Sequence, residues 1–178
     1  AVWDVADYVA INFSCPNVPN LQELAKADSA ADLLSILKSE QANLASDTGR
    51  YVPLVLKVSP DMSEARIREL SQVFRDCQLD GLICSNTTTS REGVEQSPAA
   101  CESGGMSGKP LYNRANETLE AFATELKGEI PIIGVGGITT PEDAVEKIRL
   151  GASLVQLYSG FIYNGPPLVH GAAKSIRD

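Results

Sequence analysis

The chain has 178 residues, 43% of them hydrophobic and 21% charged, with a formal net charge of −8. That describes one globular unit large enough to bury a real core. Lys and Arg are scattered rather than gathered into a basic stripe, which argues against a nucleic-acid partner, and no apolar run approaches the ~20 residues of a membrane helix.

In chain order, Ala1 to Ala6 reads as the end of a helix feeding a strand. With no initiator Met and no signal or transit peptide, this start in mid-pattern leads us to expect part of a longer protein. Apolar strand-like runs recur at Tyr8–Phe13, Pro53–Val58, Gly81–Ser85, Pro131–Val135 and Ser153–Tyr158. They are continuous rather than alternating, as expected of parallel strands covered on both faces. Between them lie amphipathic stretches. Asp28–Ala45 carries Leu33, Leu34, Ile36, Leu37 and Leu44. Ser63–Gln78 places Ile67, Leu70, Val73, Phe74 and Cys77 at helical spacing. Asn116–Lys127 carries Leu119, Phe122 and Leu126, and Gly128 is a natural stop. Thr140-Pro141-Glu142-Asp143 is a helix start, with a capping hydroxyl, a first-turn proline and acids near the positive end, and Gly151 ends that helix. A short tail follows.

The order β-α-β-α-β-loop-α-β-α-β implies right-handed crossovers and a parallel sheet, either doubly wound and open or part of a barrel. Two features favour the barrel: polar residues just past every strand end, and glycine-rich turns at the last two. The expected fold is therefore α/β, a single partial domain over 1–178 that supplies about five of the eight βα units of a TIM barrel, from its C-terminal part.

Chemistry concentrates at the strand ends. Asn12-Phe13-Ser14-Cys15-Pro16-Asn17 closes the first strand, and Cys15 is its evident nucleophile or proton carrier. Lys57 lies inside Leu54-Val55-Leu56-Lys57-Val58, a costly place for a charge unless the charge is used; an edge-strand lysine reaching water is the bland reading. Ser85-Asn86-Thr87-Thr88 follows the third strand and suits a small polar ring, or only its own turn. The long connection from Thr89 to Asn113 contains Ser103-Gly104-Gly105-Met106-Ser107-Gly108-Lys109-Pro110; a loop of that length in a compact domain tends to be functional. Gly134-Val135-Gly136-Gly137 and Tyr158-Ser159-Gly160 let backbone N–H groups approach a phosphate. Cys77 and Cys84 read as small core residues, and the cysteine spacing matches no zinc pattern. No metal-ligand set and no Ser-His-Asp set can be assembled, and His170, the single histidine, is given no role.

Six blocks in this order, INFSCPN, VLKVSPD, DGLICSNTT, GGMSGKPL, PIIGVGGI and GASLVQLYSGFIYNGPP, resemble the dihydroorotate dehydrogenase family, the FMN barrels of pyrimidine synthesis. The resemblance implies oxidation of dihydroorotate to orotate. Cys15 would take the proton from C5, with hydride passing from C6 to the flavin. Asn12 would touch flavin and substrate, and Asn17, Asn86 and Thr87 would hold the substrate. Lys57 would stabilise the anionic reduced flavin. Ser85 stands where the family usually has Thr beside FMN, and Gly108, Gly137, Tyr158 and Ser159 would line the FMN. The quinone-reducing, membrane-bound class usually has Ser as base and the soluble class Cys. Here Cys15 is of the soluble type, while Tyr158-Ser159-Gly160-Phe161 and the Gly-Pro-Pro ending resemble the quinone class. A quinone is the expected acceptor, with fumarate the alternative; the first goes with membrane association (bacterial or mitochondrial inner membrane), the second with a cytoplasmic enzyme. The segment alone is expected to bind FMN poorly and to be inactive. The neighbouring possibilities are a dihydropyrimidine dehydrogenase barrel, also with a Cys base, and a non-catalytic barrel that binds a phosphate ligand.

Overall fold

The computed structural model describes residues 2–12 and 27–178. Five parallel strands, β1 (Val9–Asn12), β2 (Leu54–Val58), β3 (Gly81–Cys84), β4 (Ile132–Val135) and β5 (Leu154–Gln156), lie side by side in chain order. Helices α1 (Ala27–Thr48), α2 (Glu64–Asp76), α3 (Tyr112–Leu126) and α4 (Pro141–Arg149) connect them. An open doubly wound sheet reverses its strand order at a switch point. Here every strand pairs with its sequence neighbour, which is the winding of a barrel wall.

The two faces of the sheet carry different cores. Leu56, Val58, Leu82, Cys84 and Ile132 point outward and pack with Leu34, Ile67, Leu70, Phe74, Leu119 and Phe122 from α1, α2 and α3. Val55, Ile83 and Val135 form a smaller cluster with Ile133 on the other face. That division explains why β2, β3 and β4 read as unbroken apolar runs while β1 and β5, at the margins of the sheet, are partly exposed.

Local chemistry sets the helix starts. Ser63 caps α2, its hydroxyl accepting from the Arg66 N–H. Thr140 and Asp143 form a reciprocal capping box at α4. Two expectations need correction. Residues 2–7 form no helix but a single turn, the Ala6 N–H donating to the Val2 carbonyl at 2.9 Å. The Arg50 guanidinium claims the Trp3 and Ala6 carbonyls at 2.7 and 2.6 Å, so they are not available to continue a helix. Helix α3 begins at Tyr112 rather than Asn116, because the tight turn Lys109–Leu111 runs straight into it. The tail is two helices, α5 (Ser159–Asn164) and α6 (Pro166–Arg177). Leu168, Ala172 and Ile176 recur at helical spacing, and Ala172 packs against Ala144 of α4.

Asp80, just before β3, ties three elements together. It accepts from the Leu54 N–H at 2.8 Å, Gln41 Nε2 at 2.7 Å, Lys38 Nζ at 3.0 Å and the Tyr51 hydroxyl.

Lys147 of α4 is fully buried, and its Nζ has no hydrogen-bond partner among the described residues. Its stem lies against Gly134, where a Cβ would come within 3.0 Å of Lys147 Cβ, and its ammonium is 5.6 Å from the centre of the Tyr112 ring. Burial pushes its pKa down to about 8, against Cys84 and Asp143, which pull it up. An unfolded lysine titrates near ~10.4, so between these values the unfolded chain binds more protons and stability rises with pH. Lys147→Met is expected to match or exceed the wild-type stability at pH 7, by roughly 1–3 kcal/mol, and to lack the alkaline rise. Denaturant unfolding of both proteins at pH 7 and pH 10 checks it; a variant that is weaker at pH 7 with an unchanged alkaline slope contradicts it.

Candidate active site

The carboxyl ends of the strands open into a cavity of about 310 Å³. It is lined by Lys57, Ser85, Asn86, Thr87, Ser107, Gly108, Gly136, Gly137, Gln156, Tyr158, Ser159 and Gly160, with Leu111, Val135, Ile138 and Leu157 as its apolar wall. Of the residues singled out from sequence, Lys57, Ser85, Asn86, Thr87, Gly108, Gly137, Tyr158 and Ser159 all meet here. Cys15 and Asn17 lie outside the described residues.

Lys57 resolves one alternative. Strand β2 is interior to the sheet, paired on one side with β1 and on the other with β3, so Lys57 is no edge lysine. Its side chain shares the cavity wall with the inward core, and burial lowers its pKa. Register places it opposite Asn12, the last residue of β1. Asn12 does not line the cavity itself, but its Oδ1 accepts from Asn86 Nδ2 at 3.3 Å.

The turn after β3 is held from both sides. The Asn86 N–H donates to the Val58 carbonyl at 2.8 Å, and the Thr87 N–H to Asn86 Oδ1 at 2.9 Å. Ser85 is buried; its N–H reaches the Val135 carbonyl at 3.2 Å and its hydroxyl the Asn86 carbonyl at 3.0 Å. The Cys84–Ser85 peptide is cis.

Glycines and hydroxyls build the opposite side. Gly137 has φ +75° and lies so close to the start of α3 that a Cβ would fall 2.4 Å from Tyr112 Cα. Gly160 lets α5 meet the loop after β4, since a Cβ there would lie 2.0 Å from the Ile138 carbonyl. The Ser107 and Ser159 hydroxyls are 2.9 Å apart. Behind them Asp143 accepts from the Thr139 and Thr140 N–H groups at 2.9 and 3.0 Å and from Lys109 Nζ at 3.0 Å. Burial alone would raise its pKa, but the hydrogen bonds from Thr139, Lys109 and Thr140 outweigh it and hold the carboxylate below the usual value. The turn after β4 is thereby stapled to the Lys109 turn.

Sequence reasoning missed Ser107 and Gln156 as cavity residues. Ser107 stood inside the quoted block GGMSGKPL, and its polar type next to Gly108 was the available signal. Among the described residues no group of three or more His, Cys, Asp or Glu could hold a metal ion. Among the described residues, the cavity lining supplies one cation, Lys57, a set of carboxamides and hydroxyls on one side, and a glycine-rich, hydroxyl-bearing rim on the other.

Comparison with known proteins agrees with this layout. The family model described as dihydroorotate dehydrogenase matches residues 1–178. The chain is similar to a protein of Akkermansia muciniphila named dihydroorotate dehydrogenase (quinone), 58% identical over 177 residues, covering 99% of this chain and 51% of that one. A protein of the same name from Dechloromonas aromatica is 49% identical over 175 residues, covering 98% of this chain and 50% of its own length. The solved DHODH of Eimeria tenella in complex with ferulenol superposes with a TM-score of 0.92 at 32% identity, over 98% of this chain and 50% of that one. The chain thus spans about half the length of the curated relatives it matches. Sequential parallel βα units, a strand-end cavity with an interior lysine, and a family match along the full chain lead to one conclusion: the chain belongs to the dihydroorotate dehydrogenase family.

Proposed function

We propose that the whole protein oxidises dihydroorotate to orotate in pyrimidine biosynthesis, with FMN as its redox cofactor and a quinone as electron acceptor. The observation that carries this reading is the single cavity in which Lys57, Asn86 and Thr87 face Gly108, Gly137 and Ser159. These residues fit FMN. Gly108 and Gly137 both have positive φ and leave backbone room, the Ser107 and Ser159 hydroxyls converge, and Lys57 adds positive charge in a half-buried wall. Gly108, Gly137, Tyr158 and Ser159, with Ser85, would hold the group. When bound, the flavin supplies the acceptor for the hydride leaving C6 of dihydroorotate.

The chain does the rest. Asn12, Asn17, Asn86 and Thr87 orient the substrate ring through their carboxamides and hydroxyl. Cys15 removes the C5 proton; a thiol with a pKa near ~8.5 gives up its proton more readily than a hydroxyl, so it needs less help from neighbours. Lys57 offsets the negative charge that develops in the cavity. Two observations support a quinone: the names of the relatives, and the exposed Phe161, Ile162 and Tyr163 of α5 beside the mouth, where an apolar acceptor would be met by apolar side chains. Membrane association goes with that acceptor; among the described residues no helix is long and apolar enough to cross a membrane. The 178-residue chain in isolation is expected to retain little FMN and to be inactive, and tight stoichiometric FMN on it would overturn that expectation.

The test uses the whole protein, loaded with FMN and free of oxygen. Dihydroorotate is expected to bleach the flavin absorbance rapidly, and Cys15→Ala to retain flavin while bleaching at least ~100-fold more slowly, the scale of a lost general base. Unchanged absorbance with flavin bound in the wild type sinks the assignment in favour of another flavin substrate. A cavity that serves only to bind a ligand would leave Cys15→Ala without effect.

A further inference from the structure

We propose that Asp61 is a positioning residue for the substrate side of this site, acting through Thr88 and Thr89; the inference rests on the dihydroorotate reading above. Asp61 lies in the turn after β2 and does not line the cavity. Its side chain is 25% exposed, and its bonds point to one place. Oδ1 accepts from the Thr88 hydroxyl at 2.5 Å; Oδ2 accepts from the Thr89 N–H at 2.8 Å and the Thr89 hydroxyl at 3.1 Å. The Arg114 guanidinium stands 3.8 Å from Oδ1 and donates from Nε to the Pro60 carbonyl at 3.1 Å, which holds the turn carrying Asp61 against α3.

Thr88 is the node. It is buried, and its hydroxyl also accepts from the Ser90 N–H at 3.0 Å. Its backbone forms an isolated antiparallel bridge with Met106, N–H to carbonyl at 3.2 Å one way and 2.7 Å the other. Immediately before Thr88 come Asn86 and Thr87, on the substrate side of the cavity. Immediately after Met106 come Ser107 and Gly108, on the cofactor side. The segment between β3 and α3 has no regular strand or α-helix of its own, so its two cavity-facing pieces are related by this bridge, by the carboxylate beneath it and by the Arg91 guanidinium, which donates to the Glu102 and Gly104 carbonyls at 2.7 and 2.8 Å. Bonds to an ionised carboxylate are stronger than neutral ones, and three of them converge here. Release of Thr88 and Thr89 would free Thr87, and with it Asn86, whose Oδ1 holds the Thr87 N–H.

The experiment compares whole wild-type protein with Asp61→Ala, Thr88→Val and Thr88→Ser. Orotate affinity is read from the perturbation of the flavin absorbance, and KM and kcat from anaerobic bleaching by dihydroorotate. Asp61→Ala and Thr88→Val are expected to weaken orotate binding and raise KM about tenfold or more, with kcat falling less and the flavin-to-protein ratio unchanged. Thr88→Ser, which restores the hydroxyl, is expected to recover most of the affinity. Thr88→Val keeps the side-chain shape and serves if Asp61→Ala fails to fold. Wild-type orotate affinity in both Asp61→Ala and Thr88→Val overturns the inference alone. So does a loss of flavin and affinity in parallel that Thr88→Ser fails to rescue. A wild type that neither bleaches nor binds orotate overturns the functional reading and this inference with it.

Discussion

Gly137→Ala is expected to strip the whole protein of its flavin and to cost roughly 3 kcal/mol or more of stability. Two effects add at this position. The backbone has φ +75°, where an L side chain is strained by about 1–2 kcal/mol. The new Cβ would also fall 2.4 Å from Tyr112 Cα and 2.7 Å from Tyr112 N. Those are backbone atoms at the start of α3, so no rotamer change relieves the clash. Either the loop after β4 leaves its place at the rim or the first turn of α3 shifts, and both line or support the proposed phosphate cradle. Gly93→Ala separates the two effects. It has φ +79° but no atom within 4 Å of the added Cβ, so it is expected to cost only about 1–2 kcal/mol and to keep its flavin. Flavin fluorescence released on denaturation gives the stoichiometry, and thermal unfolding the stability. A Gly137→Ala protein with full flavin and the Gly93→Ala midpoint would show that the Tyr112 contact does not matter.

Asp80→Ala is expected to destabilise the protein by about 3–5 kcal/mol at pH 7 without touching the cavity. The carboxylate serves the Leu54 N–H, Gln41, Lys38 and Tyr51 at once, at the opposite end of the strands from the cavity. Its removal leaves a lysine with 19% side-chain exposure without its carboxylate, holding only the Tyr51 hydroxyl at 3.4 Å, and the buried Gln41 Nε2 with only the Val52 carbonyl at 2.8 Å. Unsatisfied buried donors and an uncompensated charge make such losses large. The group also carries a pH signature. Burial by itself would raise its pKa, but the hydrogen bonds from Leu54, Tyr51, Gln41 and Lys38 more than reverse this and hold it below the ordinary value. With the folded value below the unfolded ~3.9, the stabilisation is present above ~3.9 and disappears as pH falls through the folded value. Urea unfolding at pH 7 and pH 3 is expected to show a wide gap between wild type and variant at neutral pH and a narrower one in acid. A pH-independent gap would mean that packing, not the carboxylate, carries the effect.

Much of the fold was legible because its signals are local. Continuous apolar runs marked the interior strands, since β2, β3 and β4 are covered on both faces. Thr140-Pro141-Glu142-Asp143 announced α4 because a capping box is complete within one turn. Glycine at 136 and 137 pointed to a cradle because positive φ is written into residue type. The same logic failed where the deciding partner is distant. The opening turn read as a helix end because nothing nearby shows that Arg50 takes its carbonyls. The tail carried no assigned element, because Ala172 and Ile176 become a buried helical face only once α4 is there to cover them.

The sequence by itself determined the order of elements, the barrel class and the chemical types brought to the strand ends, since these follow from periodicity, turn residues and motif order. Only the tertiary structure decided that Lys57 stands on an interior strand, that Ser107 meets Ser159 across 52 residues, and that Asp61 reaches Thr88 across 27. The physical reason is the same in each case. Pairing register, side-chain convergence and burial depend on which elements the core packs together, and no local spacing encodes that choice.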